Sequence, residues 1–183
     1  YTDNSPMSAD EIGTFKGFIK NIPYLKELGV THVQLLPVQN HYRVNETNRS
    51  YQGEVATPNY NWGYDPHNYF TLEGQYSTDA ANPYKRMAEF RELVKALHDN
   101  GIGVIVDVVY NHTMNMDIFE NVAPGCYHRA AGGSVPVGDP AVETRNPMVR
   151  KLVIDSLKML KNEYGVDGFR FDLMGFIDSE TVR

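Results

Sequence analysis

The sequence predicts an α/β domain built as a (β/α) barrel rather than an open sheet. Three observations carry that expectation. Helical and strand patterns alternate along the chain, loops swell only after strands, and polar residues gather at strand C-terminal ends, where barrels place their chemistry. No Gly-x-Gly-x-x-Gly follows a strand, which counts against a nucleotide fold. At 183 residues, with 42% hydrophobic and 22% charged side chains, the chain is long enough for one globular domain with a real core. A net charge of −6 argues against nucleic acid or an anionic membrane surface as partner. The single cysteine, Cys126, excludes an internal disulfide. No signal peptide or membrane-spanning run is recognisable. The expectation is a soluble protein, cytoplasmic or secreted, of open oligomeric state.

Residues 1–10 are polar and read as a loop following a strand. In residues 13–29, Pro23 suits the first helical position, Ile22, Leu25 and Leu28 recur at helical spacing, and Gly29 closes a short helix. Residues 30–38 read as a buried strand ended by Pro37. Residues 39–76 are polar and turn-rich, too long for a simple connection. They carry Tyr60-Asn-Trp-Gly-Tyr-Asp-Pro66, in which Tyr60, Trp62, Tyr64 and Asp65 suit a stacking platform with a polar handle. Aromatics that merely pin the loop to its scaffold are the plainer alternative.

Asn82 and Pro83 read as the cap and first residue of a helix whose stripe is Met87, Phe90, Val94 and Leu97, ended by Gly101. Residues 102–113 follow as an almost continuously apolar strand, as in a parallel sheet buried on both faces. Asp107 interrupts it, and a buried carboxylate requires partners. Asn111 and His112 stand at its end. Residues 114–145, with Pro124, Gly125, Gly132, Gly133 and Pro136, read as an excursion over the site. Asn146 and Pro147 restart a helix with Val149, Val153, Leu157 and Leu160 on one face, and Gly165 suits its left-handed end.

The last strand is Gly168-Phe-Arg-Phe-Asp172. Alternation sends Phe169 and Phe171 to one face, Arg170 and Asp172 to the other. An isolated Arg-x-Asp is as readily a structural ion pair. A second strand end carrying Asp107, Asn111 and His112 makes a rim of it. An acidic, aromatic-lined rim without a phosphate loop suits neutral polyhydroxylated substrates. Glycoside hydrolysis needs two carboxyl groups, about 5–5.5 Å apart for retention and about 6.5–9.5 Å for inversion. Spacing alone nominates Asp172 and Asp107.

Asp107-Val-Val-Tyr-Asn-His112 and Gly168-Phe-Arg-Phe-Asp172 resemble two signature regions of the α-amylase superfamily, glycoside hydrolase family thirteen. Tyr60-Asn-Trp-Gly-Tyr-Asp-Pro66 resembles the added signature of the type I pullulanases, which cut α-1,6 branch links. The likeness runs through residues 24–37 and Pro147-Met-Val-Arg150, and so along essentially the whole chain. It implies a TIM (β/α)8 barrel, of which residues 1–183 would hold about strands two to four as one partial catalytic domain, with the 114–145 excursion after the third strand.

The resemblance also implies roles. Asp172 would be the nucleophile of a retaining double displacement, oriented by Arg170. Asp107 and His112 would hold the sugar ring or the architecture of the site, and Trp62 and Tyr64 would bind substrate, Tyr64 by stacking. The general acid would then be a glutamate after the fifth strand instead of Asp107, and a further aspartate would follow the seventh. The implied substrates are pullulan, amylopectin or limit dextrins. No cofactor is required, and calcium beside Asn111, as in some amylases, is the metal to test. Similar pullulanases carry a Gly/Asn-rich turn where Gly133-Ser-Val-Pro-Val-Gly-Asp-Pro140 stands here, so polysaccharide contacts from the excursion do not carry over. Two other readings remain: another debranching or branching enzyme, distinguished by the Asn-Trp-Gly-Tyr-Asp-Pro loop, and a glucan-binding relative without catalysis. The chain reads as a piece of a longer protein. Three barrel strands leave two edges unpaired, so these residues alone are expected to be poorly soluble and inactive.

Overall fold

The computed structural model describes residues 7–8, 10–48, 59, 61–129 and 141–183. Most of the leading loop, Tyr60, Gly132, Pro136 and the turn at 133–140 lie outside the described residues. In order come α1 (Phe15–Ile19), α2 (Ile22–Glu27), β1 (His32–Leu35), β2 (Gln39–His41), β3 (Pro66–Leu72), α3 (Pro83–Asp99), β4 (Gly103–Val108), α4 (Asp117–Glu120), α5 (Pro147–Tyr164) and β5 (Gly168–Phe171).

β1, β4 and β5 form a parallel sheet in that order, with α3 and α5 as the crossovers. Among the described residues the strand order does not reverse, as in an arc of a barrel. Pairing is Leu35 with Val106, then Val106 with Phe169 and Asp107 with Arg170. That register divides the sheet into two faces. Val33, Leu35, Val104, Val106, Val108, Phe169 and Phe171 join Phe90, Leu93, Val94 and Leu97 of α3 and Val153 and Leu160 of α5 in one apolar cluster. Val104, Val106 and Val108 are wholly buried, each contributing about 1.5–3 kcal/mol of hydrophobic stabilisation. The other face presents Gln34, Ile105, Asp107 and Arg170 to the barrel interior.

The crossover helices start and stop where the sequence says they should. The side chain of Asn82 accepts from Tyr84 N at 3.1 Å, and that of Asn146 from Met148 N at 3.0 Å, with Pro83 and Pro147 directly after the caps. Gly165 ends α5 at φ 77°, a conformation a side chain would strain. Beneath it, at the N-terminal ends of the strands, Asp167 Oδ2 accepts from Val104 N at 2.7 Å and lies 2.7 Å from His98 Nε2.

Three expectations need correction. β1 is only four residues long and half-exposed, because it lies at the edge of the described sheet. Leu28 is exposed, because α2 ends at Glu27 and turns it outward. Residues 39–76 are more than a loop: β2 and β3 pair antiparallel, and Tyr69 and Leu72 belong to the core. The polar residues that disguise this hairpin form their own buried network around Arg86, Glu46 and Glu73. No helix among the described residues is long and apolar enough to cross a membrane.

Candidate active site

The β4–β5 register sets Asp107 directly beside Arg170 at the C-terminal ends of the strands. Arg170 Nη1 donates to both oxygens of Asp107, at 3.0 and 2.9 Å, and to Asp172 Oδ1 at 2.8 Å. Tyr64 Oη adds a donor to Asp107 Oδ2 at 2.7 Å. Asp107 is 1% exposed, so three hydrogen bonds from two donor groups offset the cost of taking its carboxylate out of water. The bond to Asp107 raises the pKa of Arg170, and Asp172 adds to it. Burial, then the bond to Asp107, pushes the Tyr64 phenol up to about 12, so it stays a donor.

Asp172 is fixed along its backbone as well. Its N–H donates to Val108 O at 3.0 Å, and its carbonyl accepts from Asn111 Nδ2 at 2.9 Å. That bond orients the Asn111 amide, so its oxygen, 2.6 Å from His112 Nδ1, accepts there and Nδ1 carries a hydrogen. Tyr69 Oη donates to the His112 carbonyl at 3.1 Å. Among the described residues, Asp172 Oδ1 is bonded to Arg170 and Oδ2 accepts no hydrogen bond. The chain then passes through Leu173 at φ 48°, a left-handed conformation that costs a non-glycine residue about 1–3 kcal/mol. The short 3₁₀ turn Met174–Phe176 follows.

Tyr64 reaches the site from a braced loop. Asn61 Nδ2 donates to Tyr42 O at 2.9 Å and Asp65 Oδ2 at 3.0 Å, while Tyr42 N donates to Asp65 O at 2.8 Å. Gly63, at φ 92°, sits so close to Pro37 that a Cβ would lie 3.0 Å from the proline ring. The loop is thereby seated on the end of β1.

Of the sequence-predicted residues, Asp107, Arg170, Asp172 and Tyr64 form one network, and Asn111 and His112 are tied to it. Trp62 has 55% of its surface exposed. The pairing of Asp107 and Asp172 as two catalytic carboxylates does not fit this geometry, since both Asp107 oxygens already accept hydrogen bonds and the side chain is sealed. Asn111, beside which calcium is the metal to test, is 0% exposed and its amide oxygen faces His112. Among the described residues no group of three His, Cys, Asp or Glu side chains could hold a metal ion. A cavity of about 400 Å³ lined by Phe15, Phe18, Leu35, Val38 and Leu93 is apolar and lies between α1 and β1, away from these carboxylates. The support that Asn111 gives the Asp172 backbone has no signal in the sequence, because nothing in a strand-end asparagine names its distant partner.

A parallel β/α arc with a carboxylate–arginine–carboxylate cluster at its C-terminal rim defines a barrel enzyme site. The family model for the alpha amylase catalytic domain matches residues 3–126, and the chain belongs to that family. Pullulanase A of Streptococcus pneumoniae is 49% identical over 177 residues, which are 93% of this chain and 14% of that protein. Pullulanase of Bacillus subtilis is 39% identical over 183 residues, 96% of this chain and 24% of that protein. The chain therefore spans a quarter or less of the length of these relatives. Among solved structures, the catalytic module of the multi-modular glycogen-degrading pneumococcal virulence factor SpuA superposes with a TM-score of 0.89 at 48% identity, covering 94% of this chain and 25% of that one. The Group B Streptococcus pullulanase SAP, in complex with maltotetraose, gives 0.88 at 41% identity, covering 99% and 23%.

Proposed function

We propose that this chain is the nucleophile-bearing part of a pullulanase-type enzyme that hydrolyses α-1,6 branch links in pullulan, amylopectin, glycogen or limit dextrins. One observation carries the reading: at a barrel's C-terminal rim Asp172 has one oxygen bonded to Arg170, and the other accepts no hydrogen bond among the described residues. In the first step Oδ2 of Asp172 attacks the anomeric carbon, the C–O bond to the leaving sugar breaks, and an external acid protonates that oxygen. The product is a glycosyl ester on Asp172. Water, activated by the same group now acting as base, then displaces the carboxylate with net retention. Arg170 aims the nucleophile through its bond to Oδ1. Asp107, through Arg170 and Tyr64, braces both. It gives no proton to the leaving group, and that role falls to a glutamate elsewhere in the parent enzyme, as the α-amylase resemblance implies. Trp62 and Tyr64 supply apolar ring surface to the glucan, and His112 bounds the bound sugar.

The experiment is Asp172→Asn in the full-length parent. Turnover of pullulan falls at least about a thousandfold, while retention on an immobilised glucan is largely kept. Activity above a few per cent of the parent's would overturn the assignment.

A further inference from the structure

The two strand ends that carry His112 and Asp172 are stitched together from outside the sheet. Residues 141–142 pair on one side with the end of β4, where Val142 N donates to Asn111 O at 2.9 Å and His112 forms a bridge with Ala141. On their other side they pair with residues 128–129, where Arg129 N donates to Ala141 O at 2.8 Å and His128 bridges Val142. His128 anchors this clasp. Its side chain is 1% exposed, with Nδ1 2.9 Å from Glu120 Oε1 and Nε2 2.8 Å from Thr113 Oγ1, the residue after His112. Arg129 then crosses to the second strand end, where its Nη2 donates to Phe176 O at 2.5 Å.

Phe176 closes the turn that begins at Leu173, immediately after Asp172. Beyond the turn the chain is held independently: Asp178 N donates to Thr144 Oγ1 at 2.9 Å, and Arg150 lies 3.2 Å from Asp178 Oδ1. The left-handed Leu173 is thus trapped between Asp172, pinned by β4 and Asn111, and a carbonyl pinned by a cation. Releasing that carbonyl leaves the chain on both sides in place and lets Leu173 relax toward the right-handed region. The peptide that would swing is the one joined to Asp172.

We infer that Arg129 is a positioning residue for Asp172: by clamping Phe176 O it holds the strained turn closed and registers Asp172 against His112. The inference rests on the reading of Asp172 as the nucleophile. Arg129 acts through the backbone and touches no substrate.

The test uses the full-length parent with Arg129→Gln, Arg129→Lys, Leu173→Gly and the Arg129→Gln/Leu173→Gly pair. Arg129→Gln is expected to lower kcat about tenfold to a hundredfold with KM within about twofold, since a displaced reacting group loses rate and not binding. Arg129→Lys retains a cationic donor and falls less, and it carries the same test if the glutamine variant folds poorly. Glycine adopts left-handed φ without strain, so the loss caused by Arg129→Gln shrinks at least about threefold in the Leu173→Gly background. An unchanged kcat overturns the inference, as does a rise in KM that matches the fall in kcat/KM. So does an equal loss in both backgrounds. Asp172→Asn, run in parallel, separates this result from the functional reading. An active Asp172→Asn takes down both, whereas an inactive one beside an unaffected Arg129→Gln overturns the role of Arg129 alone.

Discussion

Arg170 and Arg86 each stand between two acidic side chains, one at an open rim and one inside the hairpin. Arg170 has 43% of its side chain exposed and spends a single nitrogen on Asp107 and Asp172. Arg86, 6% exposed, spends two nitrogens on Glu46 and on the carbonyls of Leu72 and Ala80. Burial pushes Glu73 beside it up to about 7, with Glu46 adding to the shift. The pKa of Glu46 is lowered against its own burial, by the bond to Arg86 above all. Arg86 therefore serves the hairpin, and its positive charge is used up there. Arg170 is left with exposed surface beside a half-engaged carboxylate, which is what chemistry at a rim requires.

The sharpest way to test that contrast is to weaken both arginines without removing charge. Arg170→Lys, whose shorter and more flexible stem does not hold both carboxylates in the same geometry, lowers kcat about a hundredfold with little change in unfolding midpoint. Arg86→Lys abandons several buried acceptors and lowers stability by about 2 kcal/mol in urea titration, with kcat within about threefold. If the two variants moved activity and stability alike, the division of labour would be wrong.

A smaller effect separates the clusters by pH. Glu73 has a folded pKa raised above its unfolded value of 4.5, so its contribution to stability is full below that value and is lost as pH rises through about 7. His41, beside it, is depressed by burial and works the other way, losing stability as pH falls below its usual range. Glu73→Gln removes the first of these. The variant is more stable than the parent at pH 8, by at least about 1 kcal/mol, and the gap closes toward pH 5. A variant less stable at pH 8 would mean that the ionised carboxylate is favoured, and the two clusters would be of one kind.

The smallest effects fall on the platform loop. Tyr64→Phe removes a donor from Asp107 and lowers kcat/KM about tenfold, whereas Trp62→Ala raises KM a few-fold at unchanged kcat. Equal losses from the two would place Trp62 inside the network as well.

The crossover helices were legible because their signals are local. Asn82, Pro83, Asn146, Pro147 and Gly165 mark ends within a few residues of where they act. The shared face of Arg170 and Asp172 followed from alternation along one strand, whereas the pairing of Asp107 with Arg170 depends on the register between two strands and is set only in the folded sheet. The hairpin was hidden for a physical reason. Its register shifts on both sides of Asn40, and the buried Tyr69 and Leu72 stand three apart, so no period of two survives to be read. Arg129 was hidden for another: a side chain that bonds a carbonyl 47 positions away leaves no pattern in the sequence.

The latch of Asp167 onto Val104 N and His98 has a consequence for how such a chain can change. It joins the start of β4, the start of β5 and the end of α3 at the opposite end of the strands from Arg170. Its partners are one backbone amide and a half-exposed imidazole, so other polar residues can take over the task at modest cost. Substitutions there adjust the melting temperature while leaving the reaction alone, whereas each residue of the rim answers to several partners at once. A lineage descending from this sequence can therefore adapt to new temperatures at the floor of the barrel and keep its chemistry at the rim.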